Sequence, residues 1–263
     1  MFSFSSLDAA RAHAAACYPR ESCGLITGDY GAEQYHAVNN ISPHSAQFRM
    51  AAETWLDLES AHGPIRGLVH SHPWDGAGPA PDYPSEADMR GQMATAVPWG
   101  IIVSTPEGCL TDITWFGDQC PVPPLTGPER YFRHGVTDCY SLIRDYYRIE
   151  LGISLLEFPR DWEWWQRDGY DLYLDGFPKT GFRVVPADRA MPGDMFFASV
   201  GSTARRAGVV NHGGVYLGGR NHEILHHLSG TQPTDRDRLV KREPGERWMK
   251  HITHFLRHEE RKL

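Results

Sequence analysis

Ile65-Arg66-Gly67-Leu68-Val69-His70-Ser71-His72-Pro73 decides the fold of the first half of the chain. An apolar run leads into two histidines separated by one residue. On a strand, residues i and i+2 point to the same face, so His70 and His72 present two imidazoles to one point. Pro73 has no amide hydrogen for a ladder and marks where central pairing ends. Ser85-Glu86-Ala87-Asp88 follows, and Asp88 offers a third hard ligand. Two histidines and a carboxylate leave one position of a tetrahedral zinc ion open to water, the catalytic rather than the closed arrangement. The same tetrad also reads as a capping box that opens a helix and carries no chemistry. A His-x-His pair by itself occurs without a metal too.

The flanking segments supply the rest of one unit. Residues 6–17 read as an alanine-rich helix capped by Ser6 and stopped by Pro19. Glu21 stands before the strand-like Ser22-Cys23-Gly24-Leu25-Ile26-Thr27-Gly28, and Tyr35–Ile41 reads as a second strand. Residues 50–62 form a helix with Trp55, Leu56 and Leu58 as packing residues, stopped by Gly63-Pro64. Trp74–Tyr83 is a Gly/Pro-rich loop, 84–96 a helix, and Trp99–Thr105 with Leu110–Phe116 a closing strand pair. The order α-β-β-α-β-loop-α-β-β predicts a mixed α/β domain.

Composition bounds the whole. With 263 residues the chain holds one large domain or two ordinary ones, and 41% hydrophobic residues allow a proper core. A net charge of −7 argues against a nucleic-acid footprint. Fourteen histidines favour sites that ligate metal or move protons. The five cysteines, at 17, 23, 109, 120 and 139, are odd in number and lack any C-x-x-C spacing, which predicts free thiols made in a reducing compartment. The N-terminus has no signal-peptide pattern, and no apolar run approaches the ~18 residues of a membrane span.

Glu21, His70-Ser71-His72-Pro73 and Ser85-x-x-Asp88 together resemble the JAMM (MPN-type) metallopeptidase signature over about residues 1–117. The resemblance implies zinc held by His70, His72 and Asp88, with Glu21 as general base and Ser85 helping to polarise the scissile carbonyl. The gap between His72 and Asp88 is longer than that family's by several residues. The surplus falls in Trp74–Tyr83 and reads as a loop inserted over the site.

Gly117 to Pro128 is rich in proline and marks the boundary, a semi-rigid spacer over 118–128. Beyond it, Gly135-Val136-Thr137-Asp138-Cys139-Tyr140-Ser141-Leu142 opens a helix whose apolar face falls at 139, 142, 143, 146 and 147, capped by Asp138 or Thr137. Cys139 then sits at a helix N-terminus, where the dipole lowers a thiol pKa, although a buried, inert thiol is the alternative. Trp162, Trp164 and Trp165 suit either core packing or the wall of a substrate cleft. Met191-Pro192-Gly193-Asp194 reads as a turn into a strand, Val209–Leu217 as a strand, Gly218-Gly219-Arg220-Asn221 as a hairpin turn, and Glu223–Leu228 as its return. Residues 247–257 give a last strand and Arg257–Leu263 a charged tail.

Asp138-Cys139, Pro192-Gly193-Asp194 and His212 before Gly-Val-Tyr-Leu-Gly resemble the NlpC-type papain-like cysteine peptidases, over about residues 129–257. The resemblance implies Cys139 as nucleophile, His212 as base and His226 as the residue that orients it, with His227 as the other choice. Strand alternation lets only one of those neighbours face the cleft. Tyr140-Ser141 and Gly213 depart from that family's usual residues. The expected architecture is therefore two-domain, α/β then α+β: a JAMM/MPN mixed α/β domain over 1–117, a linker over 118–128, and an NlpC-type papain-like α+β domain over 129–263.

The two in one chain resemble the lambda-type phage tail-tip assembly proteins. That resemblance implies tail-tip proteins and host peptidoglycan as partners, and neither nucleic acid nor a membrane span. It implies synthesis in the host cytoplasm and action from the virion tail tip at the cell wall or periplasm. The thiol site would cut stem-peptide bonds and the zinc site would be a second hydrolase. A mainly structural tail-assembly module, and a JAMM isopeptidase that processes tail proteins, are the competing readings.

Overall fold

Ser3, one turn earlier than the Ser6 expected from sequence, caps helix α1 (Phe4–Cys17), its side chain accepting from the Ser6 amide. Ser6 is instead buried and its hydroxyl donates to the Glu33 carbonyl at 2.6 Å. The computed structural model describes residues 2–201 and 209–261, so the last two residues of the charged tail lie outside it. It divides into two units, Met1–Pro121 and Val122–Leu263.

The first unit is a five-stranded sheet in the order β2-β1-β3-β4-β5. Its strands are β1 (Cys23–Thr27), β2 (Gln34–Val38), β3 (Ile65–Pro73), β4 (Trp99–Thr105) and β5 (Gly108–Phe116). Central β3 pairs antiparallel with β1 and parallel with β4. Such a parallel neighbour needs a crossover, and helix α3 (Glu86–Thr95) lies in it. Ala10 and Ala14 of α1 are fully buried with Ile26, Val69 and Ile102 from three strands. Helix α2 (Ala52–His62) differs from expectation: none of its residues is fully buried, and Leu56 is 66% exposed. The helix lies on the face opposite α1, with His62 against His36 at a ring centroid distance of 4.3 Å, and its side chains cover that face only in part.

The second unit is a six-stranded sheet, β10-β9-β8-β7-β11-β6, with every pairing antiparallel. Its strands are β6 (Phe182–Val185), β7 (Met195–Ala198), β8 (His212–Gly218), β9 (Glu223–His226), β10 (Lys241–Glu243) and β11 (Ile252–His258). Helix α4 (Cys139–Tyr146) lies on this sheet, with Leu142 and Ile143 in a core shared with Phe197, Val215 and Leu225. Gly213 is what lets it sit so close: an added Cβ would meet Ile143 Cδ1 at 3.1 Å and the Phe196 carbonyl at 3.2 Å. A short helix α5 (Leu172–Gly176) brings Tyr173 into the same core. The proline-rich segment does not stand free. Leu125 packs on the second unit's core and Pro123 accepts a hydrogen bond from Arg130, while Gln119 donates to Ala96 of the first unit.

Two candidate active sites

In the first unit, β3 carries His70 and His72 to its C-terminal end, and their Nε2 atoms lie 3.1 Å apart. Asp88, on the first turn of α3, brings Oδ1 to 3.3 Å from His70 Nε2 and Oδ2 to 3.4 Å from His72 Nε2. The three ligand atoms converge on one point. The capping box and the metal cluster are not alternatives, because Asp88 serves both. Its amide donates to Ser85 Oγ at 3.1 Å, and its Oδ2 accepts from the Ser85 amide at 2.8 Å and the Ser85 hydroxyl at 2.7 Å. The cap thus fixes the carboxylate that faces the histidines.

The donor set fits a divalent cation. A carbonyl only accepts, so His72 Nδ1 carries the hydrogen that reaches the Pro81 carbonyl at 2.6 Å. Neutral His72 then turns the lone pair of Nε2 toward a carboxylate and another imidazole. Lone pairs and a carboxylate converging in a buried place repel one another unless a proton or a cation lies among them. A metal-bound histidine commonly donates its other ring N–H to a backbone carbonyl in this way, which fixes its tautomer and orientation. Pro81 belongs to the inserted loop, so that loop contributes to the site. His70 is wholly buried against Phe48 and Trp99, at ring centroid distances of 4.9 and 5.8 Å.

Glu21 sits at the same place by register. Cys23 pairs with His70 in antiparallel β1–β3, which sets Glu21 across from His72. Its backbone is clamped: the amide donates to Ser45 and the carbonyl accepts from Asn40, both at 2.8 Å. Burial pushes the Glu21 carboxyl up to about 7, with His72 pulling it down and Asp88 pushing it further up. Burial also disfavours charge on Asp88, but the two imidazoles outweigh it and hold that carboxyl well below the usual range.

In the second unit a cleft of about 670 Å³ contains Cys139, His212, Tyr173, Trp162, Trp164 and Trp165 on its walls. The tryptophans are both core and wall: Trp164 is buried in the main core and still borders the cleft. Cys139 opens α4 and its sulfur is 3.2 Å from the Tyr173 hydroxyl, with the Gly213 amide as a further donor. The dipole expectation for this thiol is overturned. Burial and the adjacent Asp138 carboxylate push it up to about 11, against the help of Tyr173, Arg160 and Gly213. Dipole effects are worth little beside desolvation of a charge, so this sulfur needs a base to lose its proton.

His212 begins β8, is buried, and places Nε2 3.0 Å from His226 Nδ1 on β9. His226 Nε2 is 2.9 Å from Glu243 Oε1 on β10. Its neighbour His227 points the other way, donating to the Arg238 carbonyl at 3.0 Å beside Phe132. Of the two neighbours, His226 at the end of β9 is the one that faces His212. Burial drives His212 well below its ordinary pKa, with His226 and His227 adding to the effect. Glu243 was not read from sequence: it lies in a three-residue, all-charged strand with no apolar alternation. Asp138 caps α4 and is locked by a bidentate Arg160 at 2.7 and 2.9 Å. Arg160 also had no sequence signal.

The chain matches two family models, the prokaryotic homologs of the JAB domain over residues 5–115 and the NlpC/P60 family over residues 129–257. It is 40% identical over 210 residues to the tail tip assembly protein K of Escherichia phage lambda, covering 80% of this chain and 89% of that one. It is 36% identical over 227 residues to the tail tip assembly protein K of Escherichia phage N15, covering 86% and 85% respectively. A desampylase of Haloferax volcanii is 30% identical over 125 residues, 44% of this chain and 84% of that one.

Proposed function

The chain belongs to the tail tip assembly protein K family, and from that premise we propose that it is a tail-tip protein whose second unit is a peptidoglycan endopeptidase. The observation that carries the reading is the relay running from the cleft through His212 to His226, with Cys139 on the same cleft wall. Cys139 would be the nucleophile, His212 the base and His226 the orienter. Transfer of the thiol proton to His212 lets sulfur bond to the scissile carbonyl carbon. The carbon–nitrogen bond then breaks and the amine leaves with the proton from His212. Water next adds its oxygen to the acyl carbon and gives a proton to His212. The carbon–sulfur bond breaks and that proton restores the thiol. Backbone N–H groups at the start of α4 and the Tyr173 hydroxyl would receive the charge that builds on the carbonyl oxygen. A stem peptide of the bacterial wall would lie against the cleft's tryptophans and bond to its polar side chains.

The first unit we read as a zinc hydrolase, with His70, His72 and Asp88 as ligands. Zinc, when bound there, supplies Lewis-acid polarisation and acidifies water. Glu21, whose carboxyl titrates at about 7, would take up and pass on a proton at its carboxylate oxygen. Ser85 positions Asp88, and offering its hydroxyl to a substrate carbonyl would require it to leave Asp88 Oδ2. The protein would be made in the host cytoplasm, carried with tail-tip partners, and used at the host wall or periplasm.

Digestion of purified sacculi tests the reading. Wild type under reducing conditions should release muropeptides, and Cys139→Ala and His212→Ala should release none. If wild type releases nothing, the structural tail-assembly reading replaces this one. Release that survives Cys139→Ala would remove the thiol mechanism.

A further inference from the structure

We propose that Glu243 is a fourth member of the thiol relay, a positioning residue that sets the tautomer of both histidines and so leaves His212 Nδ1 as the base facing the cleft. The inference rests on the reading of Cys139, His212 and His226 given above. It follows from proton counting. Glu243 Oε1 lies 2.9 Å from His226 Nε2, and a carboxylate only accepts, so the hydrogen of neutral His226 is on Nε2. The Nδ1 of that ring is then a lone pair. At 3.0 Å from it, His212 Nε2 can bond only by donating. The hydrogen of neutral His212 is therefore on Nε2 as well, and its Nδ1 holds the lone pair. One carboxylate fixes two tautomers through two hydrogen bonds.

The carboxylate is itself held. Trp248 Nε1 donates to Glu243 Oε1 at 2.9 Å, and Arg247 bonds Oε2. The same indole lies against both imidazoles, with centroids 4.5 Å from His226 and 5.7 Å from His212. The strand register supports the geometry: Lys241 is opposite His226 and Glu243 opposite Ile224, so Glu243 and His226 share a face as diagonal neighbours. The charged or titratable groups that act on His226 are Glu243 and Lys241 from β10, His212 from β8 and His227 just past the end of β9. Of these only Glu243 is negative, so it also stabilises the positive charge that the relay carries once His212 takes a proton.

Ring ¹⁵N–¹H correlation spectra of the full chain, read with the pH profile of Cys139 alkylation by iodoacetamide, test the proposal. Wild type should show both rings protonated at Nε2. Glu243→Met should scramble those tautomers and slow alkylation at neutral pH by about 10- to 100-fold, the range by analogy with metal-bound histidines that lose their outer partner. Glu243→Gln keeps an accepting oxygen and should restore the tautomers while leaving part of the rate loss. A wild-type spectrum with His226 protonated on Nδ1 overturns the proposal even if neither variant folds. Wild-type tautomers and pH profile in Glu243→Met overturn it too. If His212→Ala also leaves the profile unchanged, the thiol reading itself fails, and this is distinguishable from failure at Glu243 alone.

Discussion

Replacing Arg160 with methionine tests the interaction that holds the start of helix α4. Arg160 is 3% exposed and its guanidinium donates to both oxygens of Asp138, to Glu157 Oε1 at 2.7 Å and to the Phe158 carbonyl at 2.7 Å. Asp138, 2% exposed, accepts in addition from the amides of Gly135 and Ser141 at 2.8 and 2.9 Å. Methionine fills much of the volume but leaves the Asp138 carboxylate buried without its counter-charge. Breaking a buried pair in this way costs about 3–5 kcal/mol. For a unit of this size that corresponds to a fall of about 10 °C or more in Tm. The loss also has a pH signature. In wild type Arg160 and His134 hold the Asp138 carboxyl far below its ordinary value despite burial, so its contribution is present above the unfolded pKa and is lost in acid. Without Arg160 burial raises that carboxyl, and the deficit of the variant should shrink as pH falls and the group protonates. Urea unfolding followed by tryptophan fluorescence gives the number. Asp138→Asn combined with Arg160→Met removes both charges and should recover most of the stability. A single-variant cost under about 1 kcal/mol, or a double variant equal to the sum of the singles, would refute the reasoning.

Burial lowers His134 from 6.5 to about 4, so the unfolded chain binds a proton first as pH falls below 6.5, and about 3 kcal/mol is lost between there and 4. His134→Gln should flatten the stability slope over that window by close to one proton, measured by urea unfolding at stepped pH, and an unchanged slope would discount it. Gly213→Val puts a Cβ 3.1 Å from Ile143 Cδ1 and should cost about 1–3 kcal/mol by overpacking while slowing Cys139 alkylation, because α4 must move; calorimetry and the alkylation rate check both. Asp88→Ala removes the proposed third zinc ligand and the half of the α3 capping box in which its carboxylate accepts from the Ser85 amide, leaving the Asp88 amide on Ser85 Oγ, so it should lose bound zinc by elemental analysis and also cost about 1 kcal/mol in chelator-treated protein. A cost only in the metal-loaded protein would separate the cap from the site.

The parts of each site that sit in short periodic patterns were legible. His70 and His72 share a face because strands alternate, and the neighbours His226 and His227 point apart. Cys139 could be placed at a helix start because Asp138 precedes an apolar stripe. What escaped was built across distance. Glu243 reaches His226 from a strand 17 residues on, and Arg160 reaches Asp138 from 22 residues away through an irregular segment. Neither position has a local pattern to announce it. The thiol's acidity was misread because the helix start is visible in sequence and burial beside Asp138 is not. The exposure of Leu56 escaped for a related reason: a helix shows which of its residues are apolar, but not which of them the sheet reaches.

A Cys139 nucleophile would carry the acyl group of a wall peptide as a thioester. Acid-quenched intact-mass analysis during digestion of purified sacculi observes this directly, with peptide mapping to locate the adduct. A transient mass gain is expected on the Cys139 peptide, equal to the acyl fragment released, larger at early times and absent in Cys139→Ala and His212→Ala. Muropeptide release by wild type with no acyl mass on Cys139 at any time, or release by Cys139→Ala, would contradict the thioester.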